Sequence, residues 1–215
     1  VTVKMMDLDG DGLQDHVMRI PGIGTYWKQN LGGRFGLLNG IILPQGGNIE
    51  IDYTPKYGDT NNPNFKYVMS RVTINDGCSD TNSPLPYIDH GSHSITTLYT
   101  YENGYYDRNL KDFYGYSSVI TTYSDGTKQK DIYNNKNYYL KGSLSSSTLF
   151  ATDGKKLSHT NISYCAAPYA LPKTEESITY EKNINNVESI SSIKTVTQYE
   201  YDYEFGNCIK ISQDL

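Results

Sequence analysis

Apolar and polar residues alternate along most of the chain, which is the pattern of strands that bury one face and expose the other. Two such runs are GNIEIDYTP, which places Ile49, Ile51 and Tyr53 on one face, and YVMSRVTIND, which places Val68, Val72 and Ile74 on one face. Apolar residues at the helical spacing of i, i+3, i+4 and i+7 are scarce. The pattern therefore predicts an all-β protein.

Clusters of Asn, Asp and Gly end these runs and the further runs SITTLYTYENG, SSVITTYSDG, TLFATDGKKLSHTNISY and IKTVTQYEYDYEFGN. Strands joined by such turns form antiparallel hairpins. We therefore expect an antiparallel sheet that is assembled from consecutive hairpins. In the segment GYYDR, we expect Gly104 to form a turn and Asp107 to pair with Arg108 at the end of the strand.

Tyrosine is the unusual component, with 21 residues against 5 Phe and 1 Trp. Its ring packs on a pleated surface while its hydroxyl stays hydrated, which suits a large, well-hydrated sheet. The net charge of −5 and the lack of a Lys/Arg run argue against a nucleic-acid groove. No apolar run reaches the roughly 20 residues that span a bilayer. The start Val-Thr-Val indicates a piece cut from a longer protein.

The cysteines and histidines offer little sign of a metal site. Cys78, Cys165 and Cys208 have no metal-type spacing and allow at most one disulfide, so we expect free or partly buried thiols. His90 and His93 could in principle hold a zinc ion, but no cysteine or third histidine is close in sequence. Ordinary polar loop residues are the favoured interpretation.

The segment DLDGDGLQD carries four carboxylates within nine residues, and these repel one another unless a cation lies among them. Ca²⁺ takes six to eight oxygen ligands, which carboxylates at alternate positions can supply. Asp7, Asp9, Asp11 and Asp15 would provide carboxylates, and a main-chain carbonyl near Leu13 would add another oxygen. We predict a structural calcium site here, with a solvated acidic turn as the alternative.

The loop differs from an EF-hand, because the twelfth position, which needs a bidentate Glu, is Met18. The segment before the loop also has the pattern of a strand and not that of a helix. The pattern D-x-D-x-D-G-x-x-D between strands resembles the calcium loops of integrin-type propeller repeats (FG-GAP or VCBS repeats). This resemblance implies that residues 1–30 are a remnant of one such repeat.

Five motifs carry a second resemblance: GGNIEIDYTP, YVMSRVTINDG, TTLYTYENGYYDRNLKDFYGYSSV, YYLKGSL and LFATDGKKL. In this order and spacing they resemble the segment between the propeller-like part and the repeat shell of the insecticidal toxin-complex B component. Virulence-plasmid B-type proteins and toxins with rearrangement-hot-spot (RHS) or YD repeats share this segment. The tail resembles one YD repeat at Tyr201, Asp202, Gly206 and Asn207, with one extra residue between Asp202 and Gly206.

The resemblance implies a β-sheet shell wall at residues 31–173 and a YD-repeat-like hairpin at residues 174–215. It implies a non-catalytic piece of a secreted or surface-located bacterial protein whose shell encloses and helps deliver a C-terminal toxin. The expected partners are the rest of the parent chain or toxin-complex subunits, together with an enclosed toxin segment.

Two other functions stay open: a surface adhesion or glycan-binding module, and a carbohydrate-active hydrolase. The sequence has no G-x-S-x-G, H-E-x-x-H or P-loop lysine motif, so we expect no enzyme. Asp107 and Asp112 could act as paired carboxylates in sugar hydrolysis. A surface or cross-strand ion pair is the favoured interpretation of these two residues, which flank Arg108 and Lys111.

Overall fold

The computed structural model describes residues 1–9, 12–32, 36–77, 93–165, 170–180, 192–202, 204 and 206–214. The chain divides into two compact units, Val1–Thr96 and Thr97–Leu215. The regular secondary structure of the described residues consists of β-strands, and the strands pair in antiparallel fashion. The prediction of an all-β, antiparallel hairpin array is therefore confirmed. The described residues contain no helix that is long and apolar enough to cross a membrane.

The first unit contains two groups of strands. Strands β1 (Thr2–Met6), β2 (Asp15–Ile20) and β3 (Gly24–Lys28) form a three-stranded sheet in chain order. The strands β4 (Gly40–Ile42), β5 (Asn48–Lys56) and β6 (Lys66–Asn75) also pair in chain order. The first sheet holds the predicted acidic loop, which joins β1 to β2.

The second unit is a succession of strands in which each pairs with the next. They are β7 (Ser94–Asp107), β8 (Asp112–Thr122), β9 (Lys128–Tyr133), β10 (Leu144–Phe150), β11 (Lys156–Tyr164), β12 (Pro172–Tyr180), β13 (Ser192–Tyr201) and β14 (Cys208–Asp214). The three residues that begin β7 belong to the first unit. The predicted domain boundaries at residues 30 and 173 stay a prediction.

One tight turn recurs in the hairpins. In the turns that contain Gly46, Gly126 and Gly154, the glycine has φ of +94°, +84° and +82° and donates its N–H to the carbonyl three residues earlier. Residues with a side chain rarely adopt this left-handed backbone, so glycine is required there. Asp125 and Asp153 accept the N–H two residues further on, which fixes the turn. The Asp-Gly pairs at residues 125–126 and 153–154 therefore form turns, as predicted.

The YD-like tail uses a turn that is one residue longer. Asp202 donates its N–H to the carbonyl of Asn207 over 2.9 Å, whereas the shorter turns close between residues four apart, as from Tyr123 to Thr127. Gly206, with φ of +71°, donates to the carbonyl of Asp202 over 2.7 Å. The extra residue noted in the sequence is therefore accommodated in the turn, and the flanking strands still pair.

The pairing of β5 with β6 corrects one predicted face. Asp52 lies opposite Arg71, but Tyr53 lies opposite Met69, so Ser70 is an extra residue in β6. Such a bulge shifts the alternation by one residue. Val68 consequently lies opposite Thr54, on the other face from Val72 and Ile74, and the prediction that these three share a face was wrong.

The predicted glycine turn in GYYDR was also wrong. Gly104 lies inside β7, buried and opposite Tyr116, and the chain reverses between Asp107 and Asp112 instead. The Asp107 carboxylate accepts the N–H groups of the two residues that follow Arg108, over 2.8 Å and 3.0 Å. An aspartate favours a turn because its side chain accepts the N–H groups of the residues that follow it.

Burial is modest and is concentrated at a few positions. Among the described residues, the buried apolar side chains are Tyr114, Cys165 and Tyr201. The buried polar side chains are Asp15, Asn62, Ser118, Thr121, Asn135 and Thr148. Most other positions in the strands of the second unit are half-buried. Among the described residues, buried polar side chains therefore outnumber buried apolar ones.

Candidate functional site

The acidic loop brings three carboxylates together at one end of the first sheet. Met6 at the end of β1 pairs with Asp15 at the start of β2, so the loop between them returns to its own origin. One carboxylate oxygen from each of Asp7, Asp9 and Asp15 lies within 4.8 Å of the others. Leu13 is half-buried beside them in sequence, and Asp11 lies outside the described residues.

Asp15 is the anchor of this loop. Its side chain is fully buried, and its two oxygens accept the N–H groups of Asn30 over 2.8 Å and of Leu8 over 2.9 Å. These N–H groups, that of Asn30 first, lower the pKa of the Asp15 carboxyl, and burial opposes them. A buried carboxylate with main-chain donors on both oxygens stays ionised at neutral pH.

The other two carboxylates have donors as well. Asp7 accepts the N–H of Gly12 over 2.9 Å, and Asp9 accepts the side-chain amide of Gln29 over 2.6 Å. Gln29 and Asn30 were not predicted as part of the site. Both directly follow β3, which pairs with β2 and so returns the chain to the start of β2. A prediction of that pairing would have identified them.

The three carboxylates fit a calcium ion. Ca²⁺ binds oxygens at about 2.3–2.6 Å, so two ligands on opposite sides of the ion are up to about 5 Å apart. The 4.8 Å limit satisfies this condition. A carboxylate has about four acceptor positions, so an N–H donor on an oxygen leaves room for a metal contact. Asp7, Asp9 and Asp15 could therefore hold the ion, which stays a prediction.

An aromatic cluster supports the loop. Gly12 has φ of +83°, and a side chain at this position would overlap the ring of Phe65. Phe65 in turn makes edge contacts with Tyr57 at 5.5 Å and with Tyr67 at 5.0 Å between ring centroids. The segment between β5 and β6 therefore packs against the acidic loop, and only glycine fits at residue 12.

Asp107 and Asp112 form structural contacts at the tip of the β7–β8 hairpin. Asp112 forms an ion pair with Lys141, a residue distant in sequence, as the surface ion-pair interpretation predicted. The Lys141 ammonium also lies 5.0 Å and 4.6 Å from the ring centroids of Tyr114 and Tyr138. Asp107 caps the turn. The pKa of its carboxyl is lowered, mainly by the N–H group of Leu110.

The histidine and cysteine predictions fall partly outside the described residues. His93 contacts Asp76, with 2.9 Å between its Nδ1 and the carboxylate, while His90 lies outside the described residues. Cys165 is a buried free thiol and Cys208 is an exposed one. Cys78 also lies outside the described residues.

Taken with the fold, these contacts define an all-β segment that is built from successive hairpins. An acidic loop joins the first two strands of its smaller, three-stranded sheet. Residues 1–146 match the family model described as insecticide toxin TcdB middle/N-terminal region. The match covers more than half of the 215 residues, and the chain belongs to this family. The relation to toxin-complex B components that the motifs predicted is therefore confirmed.

Solved structures of toxin complexes share the fold. A crystal structure of TcdB2-TccC3-TEV has a TM-score of 0.66 at 14% identity, covering 98% of this chain and 13% of that chain. TcdB2-TccC3 without its hypervariable C-terminal region has a TM-score of 0.56 at 12% identity, covering 93% and 16%. The Photorhabdus luminescens Tc holotoxin pore has a TM-score of 0.54 at 12% identity, covering 94% and 15%.

The chain thus spans only 13–16% of the length of these solved chains. At identities of 12–14% the likeness concerns the fold alone. No curated protein matches the chain.

Proposed function

We propose that this chain is a non-catalytic part of the β wall of a toxin-complex B-type shell, which encloses and helps deliver a C-terminal toxin. The observation that carries the proposal is the fold likeness to TcdB2-TccC3 over 98% of the chain. The partners would be the rest of the parent chain, the other toxin-complex subunits and the enclosed toxin segment. The parent protein would be secreted or located on the bacterial surface.

The succession of hairpins suits a wall. Each strand from β7 to β14 pairs with the next one along the chain, so a sheet of this kind lengthens by the addition of hairpins. The last hairpin, β13–β14, carries the YD-like residues at its turn. We propose that it is the first repeat of an RHS/YD-type array and that residues 1–30 adjoin a propeller.

The wall function predicts that the shell fails when one hairpin is removed. Deletion of the segment from Lys128 to Phe150 removes β9 and β10, and it leaves β8 and β11 with the antiparallel directions that pairing requires. In the parent protein, co-expressed with the other toxin-complex subunits, the intact wall should protect the enclosed segment from protease. The deletion should make that segment sensitive, as measured by limited proteolysis and electron microscopy.

The matched control lengthens the turn at Gly154 with a short Gly-Ser insertion, which leaves all strands in place. It should retain a closed particle and full protection. Digestion of the C-terminal segment at the same rate with and without the intact wall would contradict the proposed function.

We also propose a structural role for Ca²⁺ at Asp7, Asp9 and Asp15, with Asp11 and the carbonyl of Leu13 as further ligands. The bound ion would offset the mutual repulsion of these carboxylates and so tie the loop to the first sheet. The proposed role is structural, because no catalytic group stands beside this loop in the sequence.

The calcium proposal predicts a melting temperature that depends on the ion. Millimolar Ca²⁺ should raise the melting temperature of the first sheet relative to excess chelator by about 5 °C, since a ligand that binds only the folded state stabilises it. Asp9→Ala should abolish this shift and leave melting in chelator nearly unchanged. Trp27, the single tryptophan, lies in β3 and reports on this sheet by fluorescence. Equal shifts in the wild type and Asp9→Ala would refute the site.

A further inference from the structure

The strand register sorts the side chains of the second unit onto two faces. Residues directly opposite each other in paired antiparallel strands point to the same side. One such row crosses from β7 to β13: Tyr101, Asp131, Ser147, Thr160, Ser177 and Thr195, with Val119 between the first two. We call the side that carries this row the tyrosine face.

Tyrosines and hydroxyl groups dominate this face. Because side chains alternate along a strand, Tyr133, Tyr164 and Tyr199 lie on the same side as the row. Burial is the first cause of a raised pKa in each of these three phenols and in Tyr101. The hydroxyls of Thr160 and Ser177 lie 3.1 Å apart. The rings are thus partly packed, within a surface of hydroxyl groups.

At the regularly paired positions of the described strands, the charges on the tyrosine face are the carboxylates of Asp131 and Glu175. Asp131 accepts hydrogen bonds from the Ser147 hydroxyl over 2.6 Å and from the Gln129 amide over 3.0 Å. Glu175 accepts one from the Tyr199 hydroxyl over 3.2 Å. In the described part of the chain neither carboxylate forms an ion pair. Their charges contribute to the raised pKa values of the nearby phenols.

On the opposite face, the carboxylates form ion pairs with lysines. Glu176, the next residue after Glu175, forms an ion pair with Lys194 at 3.0 Å, and Glu200 forms one with Lys210 at 3.0 Å. Lys128 and Lys130 also lie on that face, since they alternate with Gln129 and Asp131. Lys156 and Lys173 lie at bulges at the ends of their strands. At the regularly paired positions from β8 to β13, the tyrosine face therefore carries two carboxylates and no lysine or arginine.

We propose that the tyrosine face binds a basic, extended segment of polypeptide. Tyrosine rings attract Lys and Arg side chains through cation–π contacts, and the two carboxylates provide the opposite charge. The hydroxyl groups can pair with the backbone of a chain that lies along them. This inference rests on the proposed function, since the enclosed toxin segment is the polypeptide that the face would contact, and it identifies the side of the wall turned towards that segment.

Binding of synthetic peptides to the 215-residue chain tests this inference. The probes are two fluorescently labelled peptides of about ten residues, roughly the width of the seven strands from β7 to β13 at about 4.8 Å each. One alternates Lys and Ser, and the other alternates Glu and Ser. We expect the lysine peptide to bind in fluorescence anisotropy at low ionic strength and to dissociate in about 1 M salt. The glutamate peptide should not bind. Equal binding of both peptides, or none of either, would overturn the inference.

Variants locate the binding on one face. The double variant Asp131→Asn, Glu175→Gln should bind the lysine peptide about tenfold more weakly, because it removes both opposite charges and keeps the hydrogen-bond acceptors. The matched control Glu176→Gln, Glu200→Gln removes two charges from the opposite face and should change the affinity by less than about twofold. Thermal melts confirm that each variant is folded. An equal loss in both double variants would refute the assignment to the tyrosine face.

The result can be separated from that of the wall experiment. A closed, protective shell whose tyrosine face fails to bind the lysine peptide would overturn the inference and leave the proposed function intact. A wall that protects nothing would refute the proposed function, whatever the peptides show.

Discussion

Asp15→Asn is expected to lower the melting temperature of the first sheet by about 5–10 °C in chelator, and by more in calcium because the variant also loses a proposed Ca²⁺ ligand. The carboxylate is buried and accepts the N–H groups of Leu8 and Asn30 on its two oxygens. Asparagine replaces one oxygen with an NH₂ group, so one main-chain N–H would face another donor. The fluorescence of Trp27 during thermal unfolding measures this effect.

The same carboxylate predicts a dependence on pH. Its folded-state pKa is lowered by the N–H groups of Asn30 and Leu8, so its contribution to stability is present above the unfolded pKa of about 4. That contribution is lost as the pH falls from about 5 through the folded-state pKa. The melting temperature of the wild type should therefore fall more steeply below about pH 5 than that of Asp15→Asn.

Asp9→Asn is the matched control, since it makes the same change at an exposed carboxylate of the same loop. It should alter melting in chelator by less than about 2 °C. Identical melting of Asp15→Asn and the wild type at neutral pH would show that Asp15 does not anchor the loop.

Asn135→Ala is expected to destabilise the β7–β8 hairpin by about 2–3 kcal/mol. Its buried side-chain amide donates to the carbonyl of Asn103 over 2.9 Å and to that of Gly115 over 3.1 Å. Asn103 and Gly115 both have positive φ, at 53° and 94°, where the regular alternation of β7 and β8 is interrupted. Alanine would leave both carbonyls without this donor.

Hydrogen exchange of peptides from β7 and β8, measured by mass spectrometry, detects the loss locally as faster exchange. Lys136→Ala is the control, because Lys136 is the next residue and is exposed, so its exchange should match that of the wild type. If Asn135→Ala also left the exchange of β7 and β8 unchanged, its two hydrogen bonds would not hold the hairpin.

The sequence determined the features that depend on neighbouring residues. Alternation over each run identified the strands, because a strand with one buried face needs a period of two. Asp-Gly pairs identified the turns at Gly126 and Gly154, because only glycine readily adopts the left-handed backbone there. The spacing of the carboxylates in DLDGDGLQD likewise indicated a loop that gathers Asp7, Asp9 and Asp15.

The contacts between residues that are distant in sequence could not be predicted from local patterns. The extra Ser70 moved Val68 to the other face, and a bulge of this kind depends on the partner strand. Asp112 forms its ion pair with Lys141, 29 residues later in the sequence, and Asn30 supplies the main donor to Asp15. The contrast between Glu175 and Glu176 became visible only when the register assigned them to opposite faces. Local pattern specifies strands and turns, whereas contacts between strands follow from a register that no single segment encodes.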